Sequence, residues 1–164
     1  MTTATGHTVV DSPVGPLTLV ASGHALSGVH MAGQRHRPPD SAYGPRRDDL
    51  LPDARGQLAA YFTGELTEFD LELRLEGTEF QRRVWSALLS VPFAATVSYG
   101  QLAATAGRPG AARAVGMAVG RNPVGIVVPC HRVVGADGSL TGYGGGLDRK
   151  RWLLGHEAAV AAGR

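Results

Sequence analysis

Residues 98–123 read SYGQLAATAGRPGAARAVGMAVGRNP, and this stretch decides what kind of fold the chain can adopt. Ser98 followed three residues later by Gln101 has capping-box spacing, in which two side chains satisfy each other's free backbone N–H groups at a helix start. A short helix is expected from there to Gly107. Pro109 suits the first turn of a second helix, reaching about Arg121. Two short helices joined by a tight glycine-containing turn make a helix-turn-helix candidate, although helical hairpins also occur in protein cores. At about 100° per residue, Ala112, Val115 and Val119 share one face of the second helix. Arg113, Met117 and Arg121 lie within about 80° of one another on the opposite face. The residues between, Ala111, Ala114 and Ala118, are all small. Such a helix can come close to another surface while its arginines reach past the backbone. The alternative is an ordinary amphipathic helix with solvated arginines.

Downstream of Asn122-Pro123, the apolar run Ile126-Val127-Val128 reads as a buried strand, and it ends in Pro129-Cys130-His131-Arg132-Val133-Val134. Proline fixes its own φ and biases the residue before it to an extended conformation, so Cys130 is expected at a rigid strand end. The chain holds one cysteine, which excludes an internal disulfide and a four-cysteine zinc site. An inert core thiol and a reactive thiolate both remain. A thiol is a poor nucleophile until it is deprotonated, and His131 next to it can serve as base, directly or through a water. Neighbouring side chains in an extended segment point to opposite faces, so direct contact between the two is not required by the sequence.

A third group would be needed to orient the imidazole. On the last helix, expected to start near Asp148, Glu157 falls on the apolar stripe between Leu153 and Leu154. A buried carboxylate needs a partner, which a Cys130–His131–Glu157 relay would provide; a frayed helix end reaching solvent is the other reading. Between nucleophile and helix lies Gly142-Tyr143-Gly144-Gly145-Gly146, a loop whose backbone can approach a ligand closely. It lacks the Lys-Ser/Thr ending of a phosphate-binding loop, so nucleoside triphosphate binding is not expected.

Upstream, Gly77 marks a change of character and sets expected domains at 1–76 and 77–164. Thr78 and Gln81 repeat the capping spacing and open a helix with Phe80, Val84, Ala87 and Leu88 on one side, stopped by Pro92. The first half reads as β-rich, with a turn at Pro13-Val14-Gly15-Pro16, strand-like runs from Leu17 and through Met31, and an exposed loop over residues 33–49. Leu51, Ala54, Leu58 and Phe62 recur at helical spacing. Phe69, Leu71, Leu73 and Leu75 alternate with charged residues, the pattern of a half-buried strand.

The composition, 43% hydrophobic and 18% charged, is that of a globular protein. No apolar run is long enough to span a membrane and no N-terminal secretion signal is seen, so a cytoplasmic location without membrane association is expected. The net charge of +2 is unevenly divided. Residues 1–76 hold six Arg against ten acids (6 − 10 = −4), and residues 77–164 hold nine Arg and one Lys against four acids (10 − 4 = +6). A footprint for phosphate would therefore lie in the second half, unless the split only reflects an arginine-rich composition.

The runs PCHRVV (129–134), SYGQLA (98–103), GAARAVG (110–116), RNP (121–123) and WLLGHE (152–157), in this order, resemble those of the O6-alkylguanine-DNA alkyltransferases. The likeness covers Gly77 to Glu157 continuously, and SPVGPL (12–17) extends it less specifically into the first half. It implies a two-domain α/β (α+β) protein, with an N-terminal ribonuclease H-like domain and a C-terminal winged-helix-like domain. It implies that Cys130 accepts the alkyl group, activated through His131 and Glu157, with Asn122 bracing the active-site turn; the sulfur is accordingly expected to be ionised and accessible at the edge of a DNA-docking surface. Arg113 would fill the space of a flipped nucleotide, and Tyr99 would push the phosphate and contact the base. Ala112, Ala114 and Arg121 would face DNA, with the helix in the minor groove. The carbonyls of Cys130 and Val133 and the Tyr143–Gly144 loop would hold the guanine. Removing a base from the stack before doing chemistry on it fits an intercalating side chain.

The implied activity is direct-reversal repair of double-stranded DNA, each molecule acting once because no side chain can reverse a thioether. O4-alkylthymine is left open as a second substrate. No cofactor, no metal and no obligate protein partner are expected, and the state expected is a monomer. Gly144 stands where many relatives carry Ser, and Val119 where a more polar or longer residue is common. The zinc-bearing extensions of some relatives are absent, which leaves a transcriptional regulator unsupported. Two rivals are a lesion-binding protein without transfer, which Cys130 argues against, and a thiol hydrolase that turns over.

Overall fold

The computed structural model describes residues 5–163. Its first half is built on an antiparallel sheet of β1 (Thr5–Val10), β2 (Leu17–Ser22) and β3 (Ala25–Met31), in the order β1-β2-β3. Ser12 shapes the β1–β2 turn, its Oγ donating to the Gly15 carbonyl at 2.6 Å and accepting from the Val14 N–H at 3.2 Å. β2 and β3 are buried along most of their length, and α1 (Pro52–Thr63) contributes Ala54, Leu58 and Tyr61 to the same core. Proline at the first helical position costs α1 nothing, because that N–H would have no intrahelical acceptor.

The second half is helical. α2 (Glu79–Leu89) and α3 (Tyr99–Thr105) both begin with complete capping boxes, Thr78 with Gln81 and Ser98 with Gln101, as the spacing predicts. α4 (Ala112–Gly120) packs against α2 and α3. The short strands β4 (Val97–Ser98) and β5 (Val133–Val134) pair in parallel, and α5 (Leu147–Ala161) closes the domain. One hydrophobic core runs through both halves, from Leu17 and Leu19 of the sheet to Val115 of α4 and Leu153 of α5.

Four expectations are corrected. Phe69 to Leu75 does alternate between half-buried and exposed residues, but it makes one isolated parallel bridge, Leu73 with Leu26, rather than a strand. Two backbone bonds, Leu26 N–H to Glu72 and Arg74 N–H to Leu26, are all the ladder it forms there. Ile126 to Val128 is buried but turns instead of extending, with Ile126 at φ 70°. Cys130 therefore opens a single 3-10 turn, Cys130–Arg132, and does not end a strand. α4 starts three residues after Pro109, because Gly110 at φ 85° breaks the helical path first. Finally, Ala118 is buried, its carbonyl accepting from the Trp85 indole at 2.8 Å, so it belongs to the core and not to an open flank.

Candidate active site

The turn that carries Cys130 is held from below by Asn122. Its Nδ2 donates to the Val128 carbonyl at 2.8 Å and its Oδ1 accepts from the Val124 N–H at 3.0 Å. Between them the chain passes through Ile126, a β-branched residue in the left-handed region where a Cβ is strongly disfavoured. Conformations of this kind cost about 1–3 kcal/mol and persist where surrounding contacts over-determine them. Here the contacts are the two Asn122 hydrogen bonds and the complete burial of the Ile126 side chain.

The 3-10 turn then places three consecutive side chains differently. Cys130 lines a cavity of about 460 Å³, together with Tyr99, Arg113, Arg121, Asn122, Tyr143 and Gly144. His131 and Arg132 turn the other way, onto Glu157 of α5. His131 Nε2 lies 2.6 Å from Glu157 Oε2; a carboxylate can only accept, so Nε2 carries the proton and Nδ1 holds a free lone pair. Nδ1 is buried and has no hydrogen-bond partner among the described residues. Arg132 grips the same carboxylate with Nε at 2.8 Å and Nη2 at 3.1 Å. Tyr61 Oη donates to Oε2 at 2.7 Å, and the Ala94 N–H donates to Oε1 at 3.1 Å.

These contacts set the protonation states. Burial alone would raise the Glu157 pKa, but the donors from His131, Arg132 and Tyr61 hold it well below the usual carboxylate range. Burial lowers the His131 pKa, with Glu157 opposing, so the ring rests neutral. Burial raises the Cys130 pKa, against hydrogen bonding from Asn122 and the Lys150 charge. The reactive-thiolate expectation is thereby modified: Cys130 is 8% exposed and rests as a thiol, so deprotonation belongs to the reaction and not to the resting protein.

The structure brings most of the sequence-predicted residues to one place. Arg113 and Arg121 are exposed at the cavity, and Tyr99 is half-buried in its wall. Thr141 donates to the Tyr99 oxygen at 3.1 Å. Ala114 is exposed and Ala112 half-buried, both outside the cavity lining. Val133 is fully buried behind the wall, and its carbonyl accepts from Lys150 Nζ. Gly144 sits against the first domain, its carbonyl accepting from the Arg35 N–H at 2.7 Å.

Residues 79–159 match the family model described as "6-O-methylguanine DNA methyltransferase, DNA binding domain", and residues 6–75 match its "ribonuclease-like domain". The chain belongs to the 6-O-methylguanine DNA methyltransferase family. The Methylated-DNA--protein-cysteine methyltransferase of Mycobacterium bovis is 56% identical over 145 residues, covering 88% of this chain and 87% of that one. Its counterpart in Methanosarcina acetivorans is 47% identical over 150 residues, covering 90% and 95%. The crystal structure of Mycobacterium tuberculosis OGT in complex with DNA aligns with a TM-score of 0.89 at 52% identity, covering 94% of each chain.

Three residues of this methyltransferase-family site escaped the sequence reading. Arg132 sits within the quoted PCHRVV run, but nothing in its spacing indicates that it pairs with Glu157. Lys150 is fully buried, donating to the Val133 and Thr141 carbonyls, although its neighbours Arg149 and Arg151 suggest a solvated basic stretch. Tyr61 arrives from the other domain, 96 residues from Glu157. The helical spacing puts its neighbour Phe62 on the apolar stripe with Ala54 and Leu58; the structure buries Tyr61 there instead and leaves Phe62 half-buried.

Proposed function

We propose that the protein repairs alkylated double-stranded DNA by moving the alkyl group of O6-alkylguanine onto Cys130, once per molecule, and that it does so as a cytoplasmic monomer whose domains meet at Gly77. The observation that carries this reading is that one 3-10 turn divides its side chains between two tasks. The Cys130 side chain lines the cavity, while His131 is locked to Glu157 with its Nδ1 lone pair free to take a proton.

The thiol proton passes to His131 Nδ1, directly or through one water, and Glu157 stabilises the resulting imidazolium through Nε2. The sulfur attacks the alkyl carbon in line with the O6–carbon bond. A carbon–sulfur bond forms as the carbon–oxygen bond breaks, and the electron pair moves into the guanine ring. Tyr99 protonates the leaving base; the Thr141 hydroxyl, donating to the phenol oxygen, stabilises the phenolate until solvent restores its proton. The product is a thioether, which closes the catalytic life of the molecule.

Arg113 and Arg121 extend from exposed positions beside the cavity, where Arg113 takes the place of the extruded nucleotide. Phosphate contacts by the arginine-rich second half give affinity without sequence preference, as a search for lesions requires. Titrating a fixed amount of O6-methylguanine oligonucleotide with protein tests the reading. Repair should stop at one lesion per molecule; continued repair by a substoichiometric amount would instead indicate the thiol hydrolase.

A further inference from the structure

We infer that the N-terminal domain takes part in the proton relay through Tyr61, a positioning residue that competes with His131 for the same oxygen of Glu157. The inference rests on the reading of Cys130, His131 and Glu157 as a relay and extends it across the domain boundary.

Glu157 Oε2 receives three donors: His131 Nε2 at 2.6 Å, Tyr61 Oη at 2.7 Å and Arg132 Nη2 at 3.1 Å. A carboxylate oxygen has two lone pairs, so three donors share what two would saturate. Each weakens the hold of the others. Electron density drawn toward the phenol is density withheld from Nε2–H, and the imidazole is correspondingly less able to keep a second proton at Nδ1. Arg132 is already bidentate, its Nε occupying Oε1, so the carboxylate would remain paired and oriented without the phenol. Tyr61 is therefore not needed to hold Glu157 in place. What it sets is the proton affinity of the ring.

The phenol is fixed to do this. Tyr61 is fully buried, His156 Nε2 lies 2.7 Å from its carbonyl, and Phe69 and Phe93 pack on its ring at 5.5 and 6.2 Å between centroids. Burial, followed by the neighbouring Glu157 charge, raises its pKa, so it stays a donor throughout the working pH range. The ionisable groups around the His131 ring are Glu157 and Lys150 on α5 and Arg132 and Cys130 on its own turn. Tyr61 is the member of this cluster supplied by the first domain, from the face of α1 that packs into the core, in a site otherwise built in the second domain.

The test is Tyr61→Phe in the full chain, which keeps the ring and removes the donor. Two quantities are read against pH: the rate of alkyl transfer from an O6-methylguanine oligonucleotide, and the titration of the His131 ring by nuclear magnetic resonance in a Cys130→Ser background. Both acid midpoints should move up by about one pH unit, a tenfold gain in proton affinity. A 2,3-difluorotyrosine at position 61, a stronger donor, should move both midpoints down and guards against a folding defect in the phenylalanine variant. Midpoints that stay in place, even with a lowered rate or melting temperature, would leave Tyr61 a packing residue only and overturn the inference. The ring titration needs no alkyl transfer, so it separates failure of this inference from failure of the transferase reading.

Discussion

Replacing Glu157 by Gln preserves its size and removes its charge, which makes the carboxylate's structural role measurable. Glu157 accepts five hydrogen bonds, from Tyr61, Ala94 and His131 once each and from Arg132 twice. All four partners donate. A glutamine oxygen can accept part of this set, but its NH2 must face a donor, and none of those groups can receive both its protons. Arg132, itself 6% exposed, would keep its positive charge in the interior without a counter-charge. Breaking a buried pair from one side costs about 3–5 kcal/mol. With an m value of about 2–3 kcal/mol per molar urea, the unfolding midpoint should fall by about 1–2.5 M. Adding Arg132→Met should recover much of that loss, because the stranded charge is then gone and the remaining cost is hydrogen bonding. A single variant that unfolds within about 0.5 kcal/mol of the parent would refute the picture of an obligate buried pair.

Asn122→Ala leaves the Val128 carbonyl and the Val124 N–H without their partner while Ile126 remains in its strained conformation. A stability loss of about 2–4 kcal/mol in urea and a slower transfer rate are expected together; an unchanged rate would separate the turn from the chemistry. Arg113→Ala should slow repair of duplex DNA at least tenfold more than reaction with free O6-methylguanine base, and equal slowing of both would remove it from base extrusion. His30 is buried against Tyr43, and burial lowers its pKa to about 4 from 6.5. Its neutral ring therefore contributes stability that is fully present above pH 6.5 and lost as pH falls toward 4, up to about 3 kcal/mol. His30→Phe should reduce the slope of the urea midpoint across that window, leaving the contribution that His131 supplies; an unaltered slope would contradict the assignment.

Local chemistry made part of this molecule readable from its residues. The two capping boxes need only side chains three residues apart, so α2 and α3 start where Thr78 and Ser98 say they do. Glu157 could be placed beside His131 because a carboxylate on an apolar stripe has to find a partner. What stayed hidden depends on contacts between distant segments. An apolar run such as Ile126 to Val128 is equally suited to a buried strand and a buried turn, and only the Asn122 brace decides between them. Phe69 to Leu75 shows its burial by alternation, yet whether it forms a ladder depends on how far the edge of β3 follows it. Tyr61 and Lys150 gave no local sign because their partners lie across the domain boundary or under the pocket wall. The protonation of Cys130 was read from its neighbours, and burial, which the sequence does not display, reversed it.

Peptide mapping of the protein after one equivalent of O6-methylguanine DNA addresses the central claim without intermediaries. The sulfur of residue 130 should carry one methyl group in every molecule that has reacted, with the oligonucleotide returned as unmodified guanine. Repaired DNA alongside an unmodified Cys130, or a methyl group settled on any other side chain, would contradict the account.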